Sequence, residues 1–409
     1  MTTPIEVHGQ GPPNGPLQGI RIIDLSAVIS GPFGTSILAD QGADVIAVEP
    51  IDNPDIVRFS GPLVDEAQGV SAFYAAQNRN KRSIALNLKS EQGKRILLDL
   101  VRGADVVVQN FRPGVLDRMG LGWEVLSRVN PELVMCSISG FGSDGPYSHR
   151  PAFDPIIQSV AGMPTHQADG EGVPQLNNAI VCDKATSLNV AQSICAALVA
   201  RANGHGGQHI ELAMIDVAVH WLWPVTYWNY TYLDHETEMP DLGKIYKLFR
   251  SADGYVMVYP VATQAHWQNM CTALGRLDLA ADPRFADLQG RVLYGAEVND
   301  ELELETVKYT TADLVDLMDS ADVPVAPVNG YQSMIDDPHI RHRGQIVVTE
   351  HPTAGRIRSA LPPARFSKTP AGITRHAPLH GQHTDEVLTD LLALDSAALT
   401  QLRAENVIL

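Results

Sequence analysis

Leu17-Gln-Gly-Ile-Arg-Ile-Ile-Asp-Leu-Ser26, Phe33-Gly-Thr-Ser-Ile-Leu-Ala-Asp-Gln41 and Asp44-Val-Ile-Ala-Val-Glu49 decide the fold class of this chain. The first stretch has the β-branched density of a buried strand, and the third repeats it. The second reads as a helix stopped by Gly42, with a loop from Ser26 to Pro32 before it. Strand, helix and strand form a β-α-β unit. Parallel strands require such a crossover, and it predicts an open α/β sheet that binds ligands at the carboxyl ends of its strands. Glu49, acidic at the end of the second strand, invites a dinucleotide reading, but Ser30-Gly-Pro-Phe-Gly34 stands where a GxGxxG fingerprint would be needed.

Outward from this unit the rhythm continues. Ser83–Leu88, Asp105–Gln109 and Leu133–Ile138 read as strands, separated by helical patterns over Glu91–Arg102 and Val115–Val129. Alternation of this kind predicts a doubly wound sheet. After the turn cluster Gly204–Gln208, His209–Ala213 alternates as a further strand. From about Glu236 to Gly330 the pattern changes to a strand, Tyr255–Tyr259, and helices near residues 265–274, 297–307 and 311–321. This predicts a second, smaller domain, with Val323-Pro-Val-Ala-Pro-Val328 as its exit. Trp221–Tyr232 holds three Trp, three Tyr and Pro224, too irregular for one helix. It is read as packing at a domain or subunit contact, or as the wall of a ligand pocket.

A length of 409 residues implies two or three domains, and the apolar fraction of 44% is ordinary for a globular chain. A net charge of −17 argues against nucleic acid and anionic membrane as partners. No run of 18 apolar residues predicts a membrane span. Residues 1–16 are Pro/Gly-rich, lack the features of a secretory signal and read as a loose tail. Cys136, Cys182, Cys195 and Cys271 form no CxxC pair, which fits a reducing cytoplasm without disulfides or zinc. Pro378 and Gly381 interrupt the His376, His380, His383 spacing, so no metal site is expected.

Two features point to chemistry. In Asn177-Asn-Ala-Ile-Val-Cys-Asp-Lys-Ala-Thr-Ser187 an apolar run ends at Asp183, and Leu188, Ala191, Cys195, Leu198 and Ala202 then recur as one buried helix face. Asp183 therefore falls at a helix N-terminus, where free N–H groups and the helix dipole favour an ionised carboxylate. It reads as a nucleophile or as an N-cap, and position alone favours the cap. Cys182 is a weaker rival, since a buried thiol is usually inert. The second feature is the basic set Arg58, Arg79, Lys81, Arg82, Lys89, Arg112 and Arg118, several near the predicted strand ends. It reads equally as a site for an anionic, phosphate-like ligand or as a solvated face.

With these pieces in order, the chain resembles the class III CoA-transferases, a family that includes carnitine-CoA transferases and α-methylacyl-CoA racemases. The resemblance runs from Leu17 to about Leu392. It is carried by Leu17–Ser26, Gln41–Pro50, Asn80–Lys89, Asn110–Gly114, Val323–Val328 and Gly381–Leu388. It implies a large Rossmann-like domain with a parallel sheet, residues 17–235 and 336–409, a smaller inserted α/β domain, 236–335, and a homodimer interlocked like chain rings. It also implies that Asp183 carries the acyl group. CoA would be held by Ile29, Ser30, Leu86, Asn87, Leu88, Lys89, Asn110, Phe111, Arg112, Arg118, Pro151, Ala152, Phe153 and Asp154. CoA or acyl-CoA is then a substrate, with a free carboxylic acid as second substrate and no tightly bound cofactor.

The implied reaction moves CoA from an acyl-CoA to a carboxylate through an aspartyl mixed anhydride and thioester, with backbone N–H groups near the helix start available for the oxyanions. Phe153 stands where the racemase branch needs a histidine. Ile29 stands where formyl-CoA transferases have glutamine, and Asp241-Leu-Gly-Lys-Ile245 has a single glycine where they have a glycine-rich loop. These departures favour a larger or less polar acyl group than formyl or oxalyl. An acyl-CoA racemase and a non-catalytic CoA-binding protein are the alternatives.

Overall fold

The computed structural model describes residues 14–65, 69–234, 246–259 and 263–409. Residues 1–13 of the predicted tail and the single-glycine stretch 241–245 lie outside them. The chain falls into two compact units, one of Met1–Met163, Leu176–Trp221 and His342–Leu409, the other of Pro164–Gln175 and Leu222–Arg341.

The first unit is built on six strands: β1 (Arg21–Asp24), β2 (Asp44–Glu49), β3 (Lys81–Ala85), β4 (Val106–Gln109), β5 (Val134–Ser139) and β6 (Gln208–Ala213). They pair in parallel in the order β3-β2-β1-β4-β5-β6. This is a Rossmann-like sheet whose direction of winding reverses between β1 and β4. Ile22 lies opposite Val45 on one side and Val106 on the other, and all three are fully buried. Central parallel strands are covered on both faces, hence their uninterrupted apolar runs.

Strand β1 is shorter than its apolar run predicts. Residues before Arg21 form a turn instead, with Gln18 N–H bonded to Gly15 O and Gly19 at φ 90°. Helix α1 (Ser30–Asp40) begins three residues earlier than expected. Pro32 lies in its first turn, where a missing N–H costs nothing. Helix α2 (Glu91–Arg102) runs over the predicted span and is capped by Ser90, whose hydroxyl accepts Gly93 N–H. The C-terminal segment also belongs to this unit: Val387, Leu388, Leu399 and Leu402 join the core around α2, and Asn87 N–H donates to Val407 O.

Helix α3 (Asp154–Val160) precedes the longest helix, α4 (Val181–Ala200). The buried face of α4 only partly follows its apolar spacing: of the predicted residues Ala191 and Leu198 are buried, Cys195 is half-buried and Ala202 is exposed. Leu188 is 60% exposed, whereas Asp183, Thr186, Ser187, Val190, Ile194 and Ala197 turn inward. Thr186 and Ser187 hydroxyls occupy the buried stripe by donating to the carbonyls of Cys182 and Asp183, one turn back. Polar residues satisfied in this way are invisible to a hydrophobicity count.

Helices α1 and α4 pack together with Gly34 at the crossing, where a Cβ would lie 2.9 Å from Val190 Cβ and Cγ1. Gly34 therefore serves close helix packing, whereas Gly31 leaves room for Ser26, whose Oγ would lie 2.1 Å from an added Cβ. His376, His380 and His383 have separate partners: the His351 ring, Pro50 O and Ser83 N–H.

The second unit has an antiparallel sheet of β7 (Leu248–Arg250), β8 (Tyr255–Val258) and β9 (Val325–Pro327). Trp267, Phe285, Phe249 and Leu314 fill its core. The Pro-punctuated stretch supplies β9, an edge strand, where proline is tolerated. Helix α5 (Met214–Thr226) includes Pro224, and the aromatic segment continues as a short 3-10 turn over Trp228–Tyr230. In the first unit, β10 (Ile346–His351) and β11 (Gly355–Ala360) close an antiparallel hairpin. No helix among the described residues is long and apolar enough to cross a membrane.

Candidate active site

A cavity of about 790 Å³ opens at the carboxyl ends of β1 to β5. Its walls are the loops that leave those strands: residues 25–28 and 30, 48–56 and 59, 86–89, 110–113, 138–140 and 150–153. Asp183 reaches it from the first turn of α4. An open parallel sheet offers this position because its loops diverge where the winding reverses.

The loop after β1 is held on all sides. Asn110 pairs with Ala27 in both directions, Oδ1 accepting its N–H at 2.9 Å and Nδ2 donating to its C=O at 2.7 Å. Asp55 Oδ2 accepts Val28 N–H at 3.0 Å, and Gln77 Nε2 donates to Val28 C=O. These bonds hold Val28 at φ 71°, an unfavourable conformation for a β-branched residue. The turn delivers Ser30, 5% exposed, to the start of α1 facing Asp183.

Asp183 is not the cap of its helix. Ile180, left-handed at φ 53°, holds the cap position without a side-chain hydrogen bond. Asp183 N–H donates instead to Asp154 Oδ2 at 3.0 Å, so that amide is not free for an oxyanion. The helix terminus also does not keep the Asp183 carboxyl at an ordinary pKa. Burial first, then the Asp154 charge, push it up to about 7, while the Ser30 hydroxyl and amide pull the other way. Desolvation outweighs the helix dipole because Asp183 is only 8% exposed. Burial holds the neighbouring Cys182 thiol up at about 12, so it is no nucleophile at neutral pH.

Residues 17–384 match the sequence pattern of CoA-transferase family III. The chain belongs to that family. It is 35% identical over 393 residues to a succinate–glutarate CoA-transferase of Agrobacterium fabrum, covering 94% of this chain and 97% of the relative. A formyl-CoA:oxalate CoA-transferase of Bradyrhizobium sp. is 32% identical over 411 residues, covering 94% and 96%. A CaiB/BaiF family protein of Brucella suis has a solved structure that is 30% identical, with TM-score 0.80 and coverage of 92% and 100%.

In this family III chain the basic set divides. Arg58 is fully buried against Glu49, Arg79 pairs with Asp40, Lys81 with Asp24 and Arg82 with Asp44. These four are internal ion pairs that tie strands and loops together. Glu49 also accepts Ser83 Oγ–H and Asp55 N–H. Burial pushes its carboxyl up, but the Arg58 bonds outweigh that and hold it below the usual range, which leaves it no capacity for a ribose. Lys89 and Arg112 do line the cavity, Lys89 only loosely opposed by Asp52 at 3.8 Å.

Of the other residues singled out by resemblance, Ser30, Leu86, Asn87, Leu88, Asn110, Phe111, Pro151, Ala152 and Phe153 line the cavity. Ile29 and Asp154 are buried outside its lining, and Arg118 lies exposed beyond it. Arg150 was not singled out, yet it is a third basic residue in the lining, stacked 3.7 Å from the Tyr147 ring centroid. Its position immediately before Pro151 was the available signal.

Proposed function

We propose that this family III member transfers CoA from an acyl-CoA thioester to a free carboxylic acid, with Asp183 as covalent carrier. The supporting observation is the division of labour among the cavity carboxyls. Glu49 and Asp55 are committed to structural hydrogen bonds, and Asp52 is exposed beside Lys89. Asp183 is the buried carboxyl that lines the cavity hydrogen-bonded by Ser30, with the Asp154 charge rather than a cation behind it.

When ionised, Asp183 attacks the thioester carbonyl carbon. The C–S bond breaks, CoA leaves as thiolate, and a mixed anhydride forms. The thiolate then attacks the aspartyl carbonyl and expels the donor acid, leaving CoA on Asp183. An acceptor carboxylate attacks this thioester, and the returning thiolate takes the acceptor acyl group and frees Asp183. Burial leaves the carboxylate poorly solvated and so a stronger nucleophile, at the cost of ionising only near neutral pH.

Lys89, Arg112 and Arg150 supply positive charge for the phosphates of CoA. The loops at residues 86–89, 110–112 and 150–153 form the rest of its bed. Phe153 on the cavity wall offers no proton acceptor, which favours transfer over racemisation. The same reading includes a homodimer of interlinked subunits, the large domain from both chain termini and a cytoplasmic location.

Incubation with succinyl-CoA and a panel of other thioesters, hydroxylamine or borohydride trapping and peptide mass spectrometry test the reaction. The expected adduct is on the peptide containing Asp183. Asp183→Ala should abolish turnover and retain CoA binding; unimpaired turnover would remove Asp183 from the scheme.

A further inference from the structure

Behind Asp183 lies a chain of hydrogen bonds that the transfer scheme does not use. Asp183 N–H donates to Asp154 Oδ2, and Gln158 Nε2 donates to Asp154 Oδ1. Gln158 is 1% exposed and Asp154 3%, so water does not compete for these bonds. The orientation of the Gln158 carboxamide follows from its second partner. Its Oε1 accepts Asn177 N–H and its Nε2 donates to Asn177 C=O, both at 2.9 Å. A reversed amide would set N–H against N–H and C=O against C=O. The nitrogen therefore points at Asp154, and an amide nitrogen only donates.

Both oxygens of Asp154 thus face N–H donors. A carboxylic O–H there would confront one of them and forfeit a charge-assisted bond where no water replaces it. We propose that Gln158 is a positioning residue for the transfer reaction: oriented by the Asn177 backbone, it holds Asp154 as a permanent carboxylate, so that Asp183 is the one of the two neighbouring carboxyls that takes up and releases the proton.

The proposal rests on Asp183 being the nucleophile. Among the described residues, the groups acting on it are Asp154 from α3 and uncharged Ser30 from α1, with Cys182, held protonated by burial, beside it on its own helix. After burial, Asp154 is therefore the fixed charge that acts on the nucleophile, and Gln158 holds Asp154 in place.

The test is the pH profile of kcat/KM. In the unmutated protein the rate should rise with pH through about 7, as Asp183 ionises. In Gln158→Met, Asp154 loses a donor and competes for the proton, so the acid limb should move down by about one pH unit. Gln158→Leu removes the same donor and should move the limb the same way. Asp154→Asn should shift it at least as far, and the double variant with Gln158→Met no further. A limb unmoved in the folded Gln158 variants, with KM for the acyl-CoA unchanged, would overturn the proposal.

Should the Gln158 variants not fold, infrared spectra of the unmutated protein decide. A buried protonated carboxyl band that titrates near neutrality should vanish in Asp183→Asn; its loss in Asp154→Asn alone would refute the assignment. Absence of any trapped adduct on the wild-type Asp183 peptide would instead remove the nucleophile itself, a separate outcome.

Discussion

Replacing Asp183 by Asn should stabilise the protein, and by an amount that grows with pH. The folded carboxyl has its pKa raised from an ordinary 3.8 to about 7, by burial first and the Asp154 charge second. Between those values the folded state keeps a proton that the unfolded chain has released. The unfolded state therefore binds fewer protons, and stability falls as pH rises, by up to about 1.4 kcal/mol per unit, until the folded carboxyl ionises near 7. The penalty is about 2 kcal/mol at pH 5 and about 4 kcal/mol at pH 8. Asparagine is nearly isosteric and does not titrate, so the gap between variant and parent should widen by roughly 2–3 kcal/mol over that interval. Urea unfolding at pH 5, 6, 7 and 8, followed by far-UV circular dichroism, measures it. A gap that is constant with pH, or that narrows, would show the carboxyl ionised throughout and refute the balance of burial over helix dipole. A widening gap in a variant without turnover would mark Asp183 as a residue kept for chemistry at a cost in stability.

Gly34→Ala should cost about 1–3 kcal/mol in urea unfolding, because its Cβ would lie 2.9 Å from Val190 and 3.0 Å from Ser187 O. It should also slow turnover, since Ser30 and Asp183 sit on the two helices that the contact joins, and Val190→Ala in the same chain should restore part of both losses. Lys89→Ala and Arg112→Ala should each raise KM for the acyl-CoA roughly tenfold with kcat nearly unchanged, the effect shrinking as salt is added. A fall in kcat alone would place them elsewhere in the reaction. Lys81→Met should cost about 3–5 kcal/mol, since it strands Asp24 as an uncompensated buried charge, and Asp24→Asn added to it should recover much of the loss. Additive losses in that double variant would contradict the pairing.

The alternation of strands and helices is legible along the chain. β-branched runs at Ile22–Ile23, Val45–Val48 and Val106–Val108, with helix signals between them, are local, and a parallel sheet follows from the crossovers. Local spacing also placed Asp183 in the first turn of a helix, while the residues quoted for the family resemblance singled out its role. What each charge does emerges only when distant segments meet. Lys81 and Asp24 are 57 residues apart, and Arg79 and Asp40 are 39 apart, so no spacing rule separates these ion pairs from the cavity residues Lys89 and Arg112.

The inward face of α4 was partly hidden for a related reason: Thr186 and Ser187 are buried because their hydroxyls bond one turn back. The protonation of Asp183 was least legible of all. A helix start argues for charge locally, but the outcome depends on how much water the surrounding chain removes and on Asp154, brought against the Asp183 amide from 29 residues away. Periodicity is written along the chain; desolvation and the partner of a charge exist only once the chain has closed around them.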